Sequence, residues 1–302
     1  MRHKKGEDIN GWLIIDKPRD MGSTQVVNLT RRLFNAKKNG HAGTLDPFAT
    51  GVLPIAFGEA TKVLPYVTDG KKEYEFVLQF GASTNTDDSE GEITEKSEKI
   101  PTQEEIEKII PLFIGKIKQT PPMYSAIKIN GQRAYKLARE GQSVDMPERE
   151  IEIFDLKLLE MLPNRQAKFR VNCSKGTYVR TLGRDMAEKL GSKGYLQELR
   201  RTKCGKFSID CAILLEKIKN IVHSDDLMRN LLPLETSLRD IADLAVSEAD
   251  AAKLKQGQGL SPKAYDVKNH IGEEMAVFSQ GKLVAIVRID EKRISPTRVF
   301  NL

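Results

Sequence analysis

The segment Gly40-His41-Ala42-Gly43-Thr44-Leu45-Asp46-Pro47-Phe48-Ala49-Thr50-Gly51-Val52-Leu53-Pro54 holds three glycines and two prolines in fifteen residues. This composition predicts a loop of fixed shape, not a helix interior or a central strand. Asp46 is the one ionisable side chain from Gly43 to Gly58. A carboxylate among apolar residues is costly unless it is paired, and acids tuned for catalysis are placed in this way. Asp46 is therefore a candidate catalytic residue. A turn opened by Asp-Pro within a core segment is the alternative.

Strands and helices are predicted on either side of this loop. Strands are expected over residues 11–18, 73–80, 150–161 and 166–174, and helices over residues 23–34, 102–113 and 178–190. Ser23 is the expected N-cap of the first helix, and Thr102 with Glu105 forms a capping box at the second. The alternation from residue 73 to residue 80 places Tyr74 and every second side chain after it on one face of a strand.

From about Asp243 the pattern changes. A helical stretch over residues 244–257 is followed by short strand-like runs at residues 275–279, 283–289 and 298–302, separated by Gly, Lys and Pro turns. A small β-barrel fits this pattern. The sequence therefore predicts two domains, residues 1–242 and residues 243–302.

Composition excludes several classes of protein. With 302 residues and 39% hydrophobic content, the chain is long enough to bury a large core. Its sequence has no apolar run approaching the roughly 18 residues of a membrane span, and its first residues lack a signal-peptide stretch, so we expect a cytoplasmic protein without membrane contact. Three cysteines without CxxC spacing and four dispersed histidines predict neither a disulfide framework nor a metal site.

Charge is unevenly distributed along the chain. The formal net charge is +6, but residues 165–206 carry 12 basic and 3 acidic side chains, while residues 69–110 carry 5 basic and 12 acidic ones. A basic face separated from an acidic face is typical of a protein that binds nucleic acid on one side. On this interpretation RNA avoids the acidic loop at residues 85–92. A solvated charged surface is the alternative.

The string GHAGTLDPFATGVLP resembles the catalytic motif of the TruB family of tRNA pseudouridine synthases, in which the motif aspartate is essential. It is joined in family order by LIIDKP, KEY and CSKGTYVR at residues 13–18, 72–74 and 173–180. The resemblance covers essentially the whole chain and implies an α+β fold. Residues 1–242 are expected to form a pseudouridine synthase catalytic domain, with a large mixed, mainly antiparallel sheet, flanking helices and an RNA-binding insertion at about residues 121–150. Residues 243–302 are expected to form a small PUA-like RNA-binding β-barrel.

The same resemblance implies roles for individual residues. Asp46 is the catalytic residue, and Tyr74 stacks on the target base. Leu199 packs against that base from the basic segment at residues 194–206, which resembles the family segment that lines the uracil pocket. A core tyrosine is the alternative interpretation of Tyr74.

Three further site residues are expected around Asp46. Arg180, in the strand-to-helix turn, is the best candidate to pair with it, because a bidentate guanidinium would keep the acid ionised and aimed in an apolar pocket. Tyr178 is expected nearby. His41 is expected to contact the RNA or to enter the space left by flipped bases. A surface arginine and a turn-stabilising histidine are the respective alternatives, and the family motif favours the pairing of Arg180.

A basic segment, an aromatic strand and an isolated carboxylate together indicate an enzyme acting on a base in RNA, which must be unstacked and flipped. The resemblance implies the substrate and the reaction: isomerisation of a uridine in the T-arm loop of tRNA, position 55, to pseudouridine, by Asp46-dependent cleavage of the glycosidic bond and its re-formation at C5. It implies a monomer with no cofactor, no metal and no required protein partner. Whether Asp46 attacks uracil C6 or ribose C1′, or abstracts a ribose proton, stays open. A non-catalytic tRNA-binding chaperone and an RNA-guided synthase of the dyskerin type are the alternatives.

Overall fold

The computed structural model of the protein describes residues 6–125, 127–129, 131–140, 145–221 and 223–302. In these ranges the helices are α1 (Ser23–Leu33), α2 (Leu64–Asp69), α3 (Gln103–Ile109), α4 (Ala134–Arg139), α5 (Val179–Lys189), α6 (Leu215–Lys219), α7 (Ser224–Met228) and α8 (Glu248–Lys255). None of these helices is long and apolar enough to cross a lipid bilayer. The capping box predicted for Thr102 and Glu105 is present at the start of α3.

Strands make up the larger part of the ordered structure. In chain order they are β1 (Gly11–Lys17), β2 (Asn39–His41), β3 (Thr50–Phe57), β4 (Lys72–Phe80), β5 (Ala82–Thr84), β6 (Ile93–Lys96), β7 (Gly115–Gln119), β8 (Lys128–Ile129), β9 (Gln132–Arg133), β10 (Arg149–Leu162), β11 (Gln166–Cys173), β12 (Gly194–Cys204), β13 (Phe207–Ser208), β14 (Ile213–Leu214), β15 (Ala242–Ala245), β16 (Glu274–Ser279), β17 (Lys282–Ile289) and β18 (Ile294–Val299).

Ten strands form one large sheet, in the order β14-β1-β3-β12-β4-β11-β10-β7, with β2 beside β3 and β13 beside β12. Seven of its nine strand pairs are antiparallel, which confirms the predicted mixed, mainly antiparallel sheet. The predicted apolar face of β4 is buried, including Tyr74 and Phe76. One apolar cluster joins this face to α1, α3, α5 and the segment around Asp46.

The loop around Asp46 is shorter than predicted. Its two flanks are the strands β2 and β3, which leaves residues 42–49 as the irregular segment. β3 is a central strand between β1 and β12. There Gly51 has a φ of 100°, and a Cβ at this position would lie 2.2 Å from the carbonyl oxygen of Arg201 on β12. Gly51 therefore permits the close approach of two strands and is not a loop residue.

A separate small sheet follows at the C-terminus, with the order β15-β16-β17-β18. Its last strand begins at Ile294, four residues before the predicted run. The small sheet packs against the large one through a buried apolar cluster, in which Ile286 and Phe300 lie together with Trp12 and Val52. Lys62 Nζ also donates to the carbonyl of residue 299 at 2.7 Å. The two sheets thus share part of their core.

The expected insertion at about residues 121–150 lies partly outside the described residues, which omit residues 126, 130 and 141–144. Its described part contains the antiparallel pair β8 and β9, joined through Gly131, and then α4. An Asn-Gly pair between short strands is typical of a hairpin turn; Asn130 lies outside the described residues. Gly131 has the positive φ, 85°, that a tight hairpin turn requires.

The expected separation of a basic face from an acidic face is wrong for the two charged segments. β4 lies between β11 and β12, so its acidic residues face the basic residues of both neighbours. Ion pairs join the two segments at Asp69–Lys175, Glu73–Lys203, Glu75–Lys168, Asp87–Arg184, Asp88–Arg180 and Glu95–Lys193. Charges that form separate runs in the sequence therefore interleave in the folded chain and compensate one another.

Candidate active site

The peptide group before Asp46 is fixed by Ser23. Gly22 occupies the N-cap position of α1, so Ser23 is the first helical residue and not the predicted cap. Its buried hydroxyl donates to the Leu45 carbonyl and accepts from the Leu45 N–H, both at 2.8 Å. The start of α1 thereby holds the residue that precedes Asp46.

Two buried cations hold the rest of the loop. Lys17 Nζ donates to the carbonyl of Pro47 at 3.1 Å and to the carbonyls of Met21 and Pro18 at 2.6 and 2.8 Å. Burial lowers the pKa of Lys17 to about 8, although the nearby charge of Asp46 acts in the opposite direction.

Arg201, which is 1% exposed, holds the other end of the loop. Its guanidinium donates to the carbonyls of Gly43 at 2.9 Å and Val52 at 2.8 Å. Together with Ser23 and Lys17 it fixes the backbone on both sides of the carboxylate.

Arg180 forms the predicted ion pair with Asp46, with Nη2 and Oδ2 3.0 Å apart. The pair is not bidentate. The guanidinium also reaches Asp88, Nη1 to Oδ2 at 3.3 Å, and donates to the carbonyls of Thr86 and Tyr124 at 2.8 Å each. Its donors are divided because the guanidinium lies between three loops. The Arg180 side chain is 4% exposed, whereas that of Asp46 is 36% exposed and so remains open to a ligand.

Asp88 is a residue of this site that the sequence did not indicate. Its side chain is 4% exposed, and burial raises its pKa despite the nearby Arg180 and hydrogen bonds from the Thr86 hydroxyl and the Glu90 N–H. The acidic composition of residues 85–92 indicated a solvent loop from which RNA is excluded. In the structure this loop forms part of the wall around Asp46.

Asp46 lies where two cavities meet. The first, here named the sheet cavity, has a volume of about 520 Å³ and is lined by Gly43, Thr44, Leu45, Asp46, Thr68, Lys72, Tyr74, Ser125, Arg149, Ser174, Lys175, Gly176, Thr177, Tyr178, Val179, Arg180, Leu199 and Arg201. Five of the six residues expected at the site therefore meet here. Tyr74 is 9% exposed, and burial raises its pKa to about 12, so it presents a neutral ring and hydroxyl to the cavity.

The second cavity, here named the loop cavity, has a volume of about 1030 Å³ and contains the sixth expected residue, His41. It is lined by Gly22, Ser23, Thr24, Gln25, His41, Thr44, Leu45, Asp46, Pro47, Thr86, Asp88, Glu90, Tyr124, Ser125 and Arg180. Burial, with the nearby charge of Arg201, lowers the pKa of His41, so its imidazole is neutral at pH 7. His41 lines the loop cavity but not the sheet cavity, whereas Tyr74 and Leu199 line the sheet cavity but not the loop cavity.

The two cavities differ in charge. The walls of the sheet cavity carry five cationic side chains and one carboxylate, while those of the loop cavity carry three carboxylates and one arginine. Asp46 and Arg180 belong to both walls. An anionic ligand such as an RNA backbone is therefore favoured on the side of Tyr74 and disfavoured on the side of His41.

Hydrogen-bonding capacity is left open around Asp46. Among the described residues, the buried side-chain N and O atoms without a partner are His41 Nδ1, Ser125 Oγ, Arg149 Nε and Nη2, and Arg180 Nε. All of them belong to residues that line the two cavities. Since buried polar groups are normally paired, this concentration indicates a site shaped for a polar ligand. No group of three or more His, Cys, Asp or Glu side chains in the described ranges is arranged to hold a metal ion.

Comparison with known proteins identifies the family. The family model described as TruB family pseudouridylate synthase (N terminal domain) matches residues 31–179, and the one described as tRNA pseudouridylate synthase B C-terminal domain matches residues 180–239. The tRNA pseudouridine synthase B of Caulobacter vibrioides is 45% identical over 307 residues, covering 100% of this chain and 99% of the relative. The protein of that name from Agrobacterium fabrum is 46% identical over 306 residues, covering 99% and 97%.

A solved structure shows the same fold. The crystal structure of a Cbf5-Nop10-Gar1 complex contains a chain that matches with a TM-score of 0.74 at 23% identity, covering 96% of this chain and 85% of that one. The predicted α+β synthase fold with its large sheet is thus confirmed. The C-terminal segment, predicted as a small β-barrel, contains the four-stranded sheet β15-β16-β17-β18. The chain, whose Asp46 loop, large sheet and full length all match, belongs to the TruB family of pseudouridylate synthases.

Proposed function

We propose that the protein converts a uridine in the T-arm loop of tRNA to pseudouridine, with Asp46 as the catalytic group. The observation that carries this proposal is the position of Asp46: ion-paired to buried Arg180, yet open to a cavity that also holds Tyr74 and Leu199. Relatives named tRNA pseudouridine synthase B, 45% and 46% identical over nearly the full length, support tRNA as the substrate.

The arrangement suits an isomerisation that loses no atoms. The bond from uracil N1 to ribose C1′ breaks, a bond from C5 to C1′ forms, the proton on C5 leaves, and N1 takes up a proton. Arg180 holds the Asp46 carboxylate in one orientation, since two further carbonyl contacts restrain its guanidinium. Tyr74 and Leu199 supply a flat aromatic and an aliphatic surface for the flipped base. Asp46 then acts on the sugar or on the base of a nucleotide that is already held in place. Holding the reacting groups in a fixed geometry lowers the barrier of the reaction.

Asp88 supports this arrangement as a positioning residue. It lies 3.3 Å from Nη1 of Arg180, whereas Asp46 contacts Nη2, and it accepts a hydrogen bond from the Thr86 hydroxyl. Loss of Asp88 would leave Arg180 free to shift toward Asp46 or away from it. His41 has a neutral imidazole with an unpartnered Nδ1, which suits contact with the bases, and not the phosphates, of nucleotides displaced when the target base is flipped.

The protein acts on tRNA alone, as a cytoplasmic monomer that needs neither a guide RNA nor a protein partner. Residues 243–302 form a PUA-like unit that adds contacts to tRNA outside the T-arm, and residues 1–242 hold the whole catalytic site. The Cbf5-Nop10-Gar1 complex is named for an assembly of several proteins, but its matching chain is only 23% identical to this one and supports the fold alone.

The test uses purified protein and an unmodified tRNA transcript. Under single turnover we expect pseudouridine formation by the wild type and none by Asp46→Asn, with tRNA binding weakened by less than about tenfold, or about 1.4 kcal/mol. Asp243→Asn, at an exposed carboxylate, is the matched control and keeps full activity. Pseudouridine formation by Asp46→Asn would contradict the assignment, and a wild type active only with added guide RNA would favour the dyskerin-type alternative.

A further inference from the structure

Arg149 lines the sheet cavity from β10, which lies three strands away from β12, the strand that carries Leu199. It is the first residue of β10 and pairs with Gln119 of the edge strand β7. Its guanidinium carbon lies 4.5 Å from the centre of the Tyr178 ring, in a cation–π contact. Buried Gln119 holds the Tyr178 peptide, accepting from its N–H at 2.8 Å and donating to its carbonyl at 3.0 Å. Gln119 thereby holds the backbone of the residue whose ring Arg149 contacts.

Arg149 differs from the other cations of the sheet cavity in its hydrogen bonds. Lys72 donates to three carbonyls, Arg201 to two, and Lys175 pairs with a carboxylate. Arg180 contacts two carboxylates and two carbonyls through its terminal nitrogens, and only its Nε lacks a partner among the described residues. Arg149 Nε and Nη2, by contrast, are buried without a partner among the described residues. Stacking on Tyr178 compensates the charge through the face of the guanidinium but leaves the donors in its plane unpaired.

We infer that Arg149 binds a phosphodiester group of the RNA beside the flipped nucleotide, whose base lies between Tyr74 and Leu199. This inference rests on the proposed function, because it takes the ligand of the cavity to be an RNA strand. Phosphate is the chemical class that fits, since a planar guanidinium with adjacent free N–H groups matches two phosphate oxygens. The cationic wall of the sheet cavity favours the same charge.

The positions on the sheet agree with this assignment. β10 lies two strands from β4, and Arg149 lies toward one end of β10 from Leu156, the residue level with Tyr74 through Val171 of β11. Arg149 and Tyr74 are thus separated both across and along the sheet, yet both line the sheet cavity. Arg149 makes no contact with Asp46 and so acts by positioning, holding the RNA strand while the base enters the cavity.

The test places neutral linkages in the substrate. A T-arm hairpin is made as a series in which each phosphate flanking the target uridine is replaced, one at a time, by methylphosphonate. Dissociation constants and single-turnover rates are measured for the wild type, Arg149→Gln and Arg149→Lys. Arg170→Gln is the matched control, because Arg170 lies on the face of β11 opposite the buried residues Phe169 and Val171.

We expect one linkage at which methylphosphonate weakens binding to the wild type by roughly ten- to a hundredfold, the size of a lost charge-assisted hydrogen bond. Arg149→Gln should bind the unmodified hairpin weaker by a similar factor, show no further loss at that linkage, and lower the salt dependence of log K by about one unit. Arg170→Gln should keep the full loss at that linkage. A purely structural role on Tyr178 would leave the methylphosphonate effect unchanged, and that result would overturn the inference.

Arg149→Lys keeps the test decisive if Arg149→Gln does not fold by circular dichroism. Lysine retains the charge but not the fork, so we expect an unchanged salt dependence and a reduced loss at the same linkage. Wild-type affinity and methylphosphonate loss in Arg149→Lys would overturn the inference. Failure of the inference is distinct from failure of the proposed function, because pseudouridine formation on the unmodified hairpin by the wild type is measured in the same series.

Discussion

Substituting Ser23 by alanine tests whether the Asp46 loop depends on the start of α1. The hydroxyl of Ser23 hydrogen-bonds to both the N–H and the carbonyl of Leu45, each at 2.8 Å, and Ser23 is only 3% exposed. Alanine is a good helix residue, so α1 itself should not suffer. The effect of the substitution is therefore confined to the junction between helix and loop.

The expected magnitude follows from the two groups left unpaired. A buried N–H or carbonyl without a partner costs about 1–3 kcal/mol, so the loss of both should destabilise the protein by about 2–6 kcal/mol. The backbone of Leu45 would also move to find other hydrogen-bond partners. Because Leu45 is covalently joined to Asp46, this movement would displace the carboxylate. A shift on the order of 1 Å at a catalytic group lowers the rate by as much as about a hundredfold, so we expect a tenfold to hundredfold lower single-turnover rate.

The assay combines urea unfolding, followed by circular dichroism, with single-turnover modification of a T-arm hairpin at saturating protein. Thr30→Val is the matched control: Thr30 is also buried in α1, but its hydroxyl donates back to the carbonyls of Val26 and Val27. Thr30→Val should be somewhat less stable than the wild type, but the folded variant should modify the hairpin at the wild-type rate. If folded Ser23→Ala modified the hairpin at the wild-type rate, the reasoning that the Ser23 hydroxyl positions Asp46 would be refuted.

Two further outcomes are expected. The folded protein releases the Lys17 proton near pH 8, whereas the unfolded chain holds it up to about 10.5. The stability of the wild type relative to Lys17→Met, as measured by urea unfolding, should therefore rise between these pH values. A flat difference across this range would contradict the buried position of Lys17. Removal of residues 243–302 should leave a folded chain that modifies the hairpin and binds full-length tRNA more weakly. This chain should be less stable by about 1.5–3 kcal/mol for each large side chain, such as Phe300, that is lost from the shared cluster. An unchanged urea midpoint would show that this cluster adds no stability.

Local sequence signals predicted much of the fold. The capping box at Thr102, the alternation of β4 and the paired strands on either side of Asn164 depend on residues close in sequence, and all three appear in the structure. Pro54 and Gly51 misled the interpretation because their neighbours in β1 and β12 are distant along the chain. A glycine needed for strand contact and a glycine needed for a turn look the same in sequence.

The sequence predicted the site residues that lie within a motif, but not the charged residues that only the folding of the chain brings together. Asp46 and Arg180 were expected to pair, and they do. Asp88 was hidden in a run of acidic residues whose burial depends on packing against α5 and β12, and Arg149 sat outside every motif. The catalytic and binding roles of these residues stay predictions, since they depend on a ligand.

Arg180 connects three segments of chain through one rigid group: the Asp46 loop, the turn at Thr86 and Asp88, and Tyr124 at the entrance to the insertion. Thermodynamic linkage makes such a connection reciprocal. A ligand that shifts Tyr124 therefore also shifts the guanidinium that pairs with Asp46, and a ligand that fixes Asp46 restrains Tyr124 in turn. If an RNA strand contacts Tyr124, that contact and the orientation of the Asp46 carboxylate depend on the position of the same guanidinium.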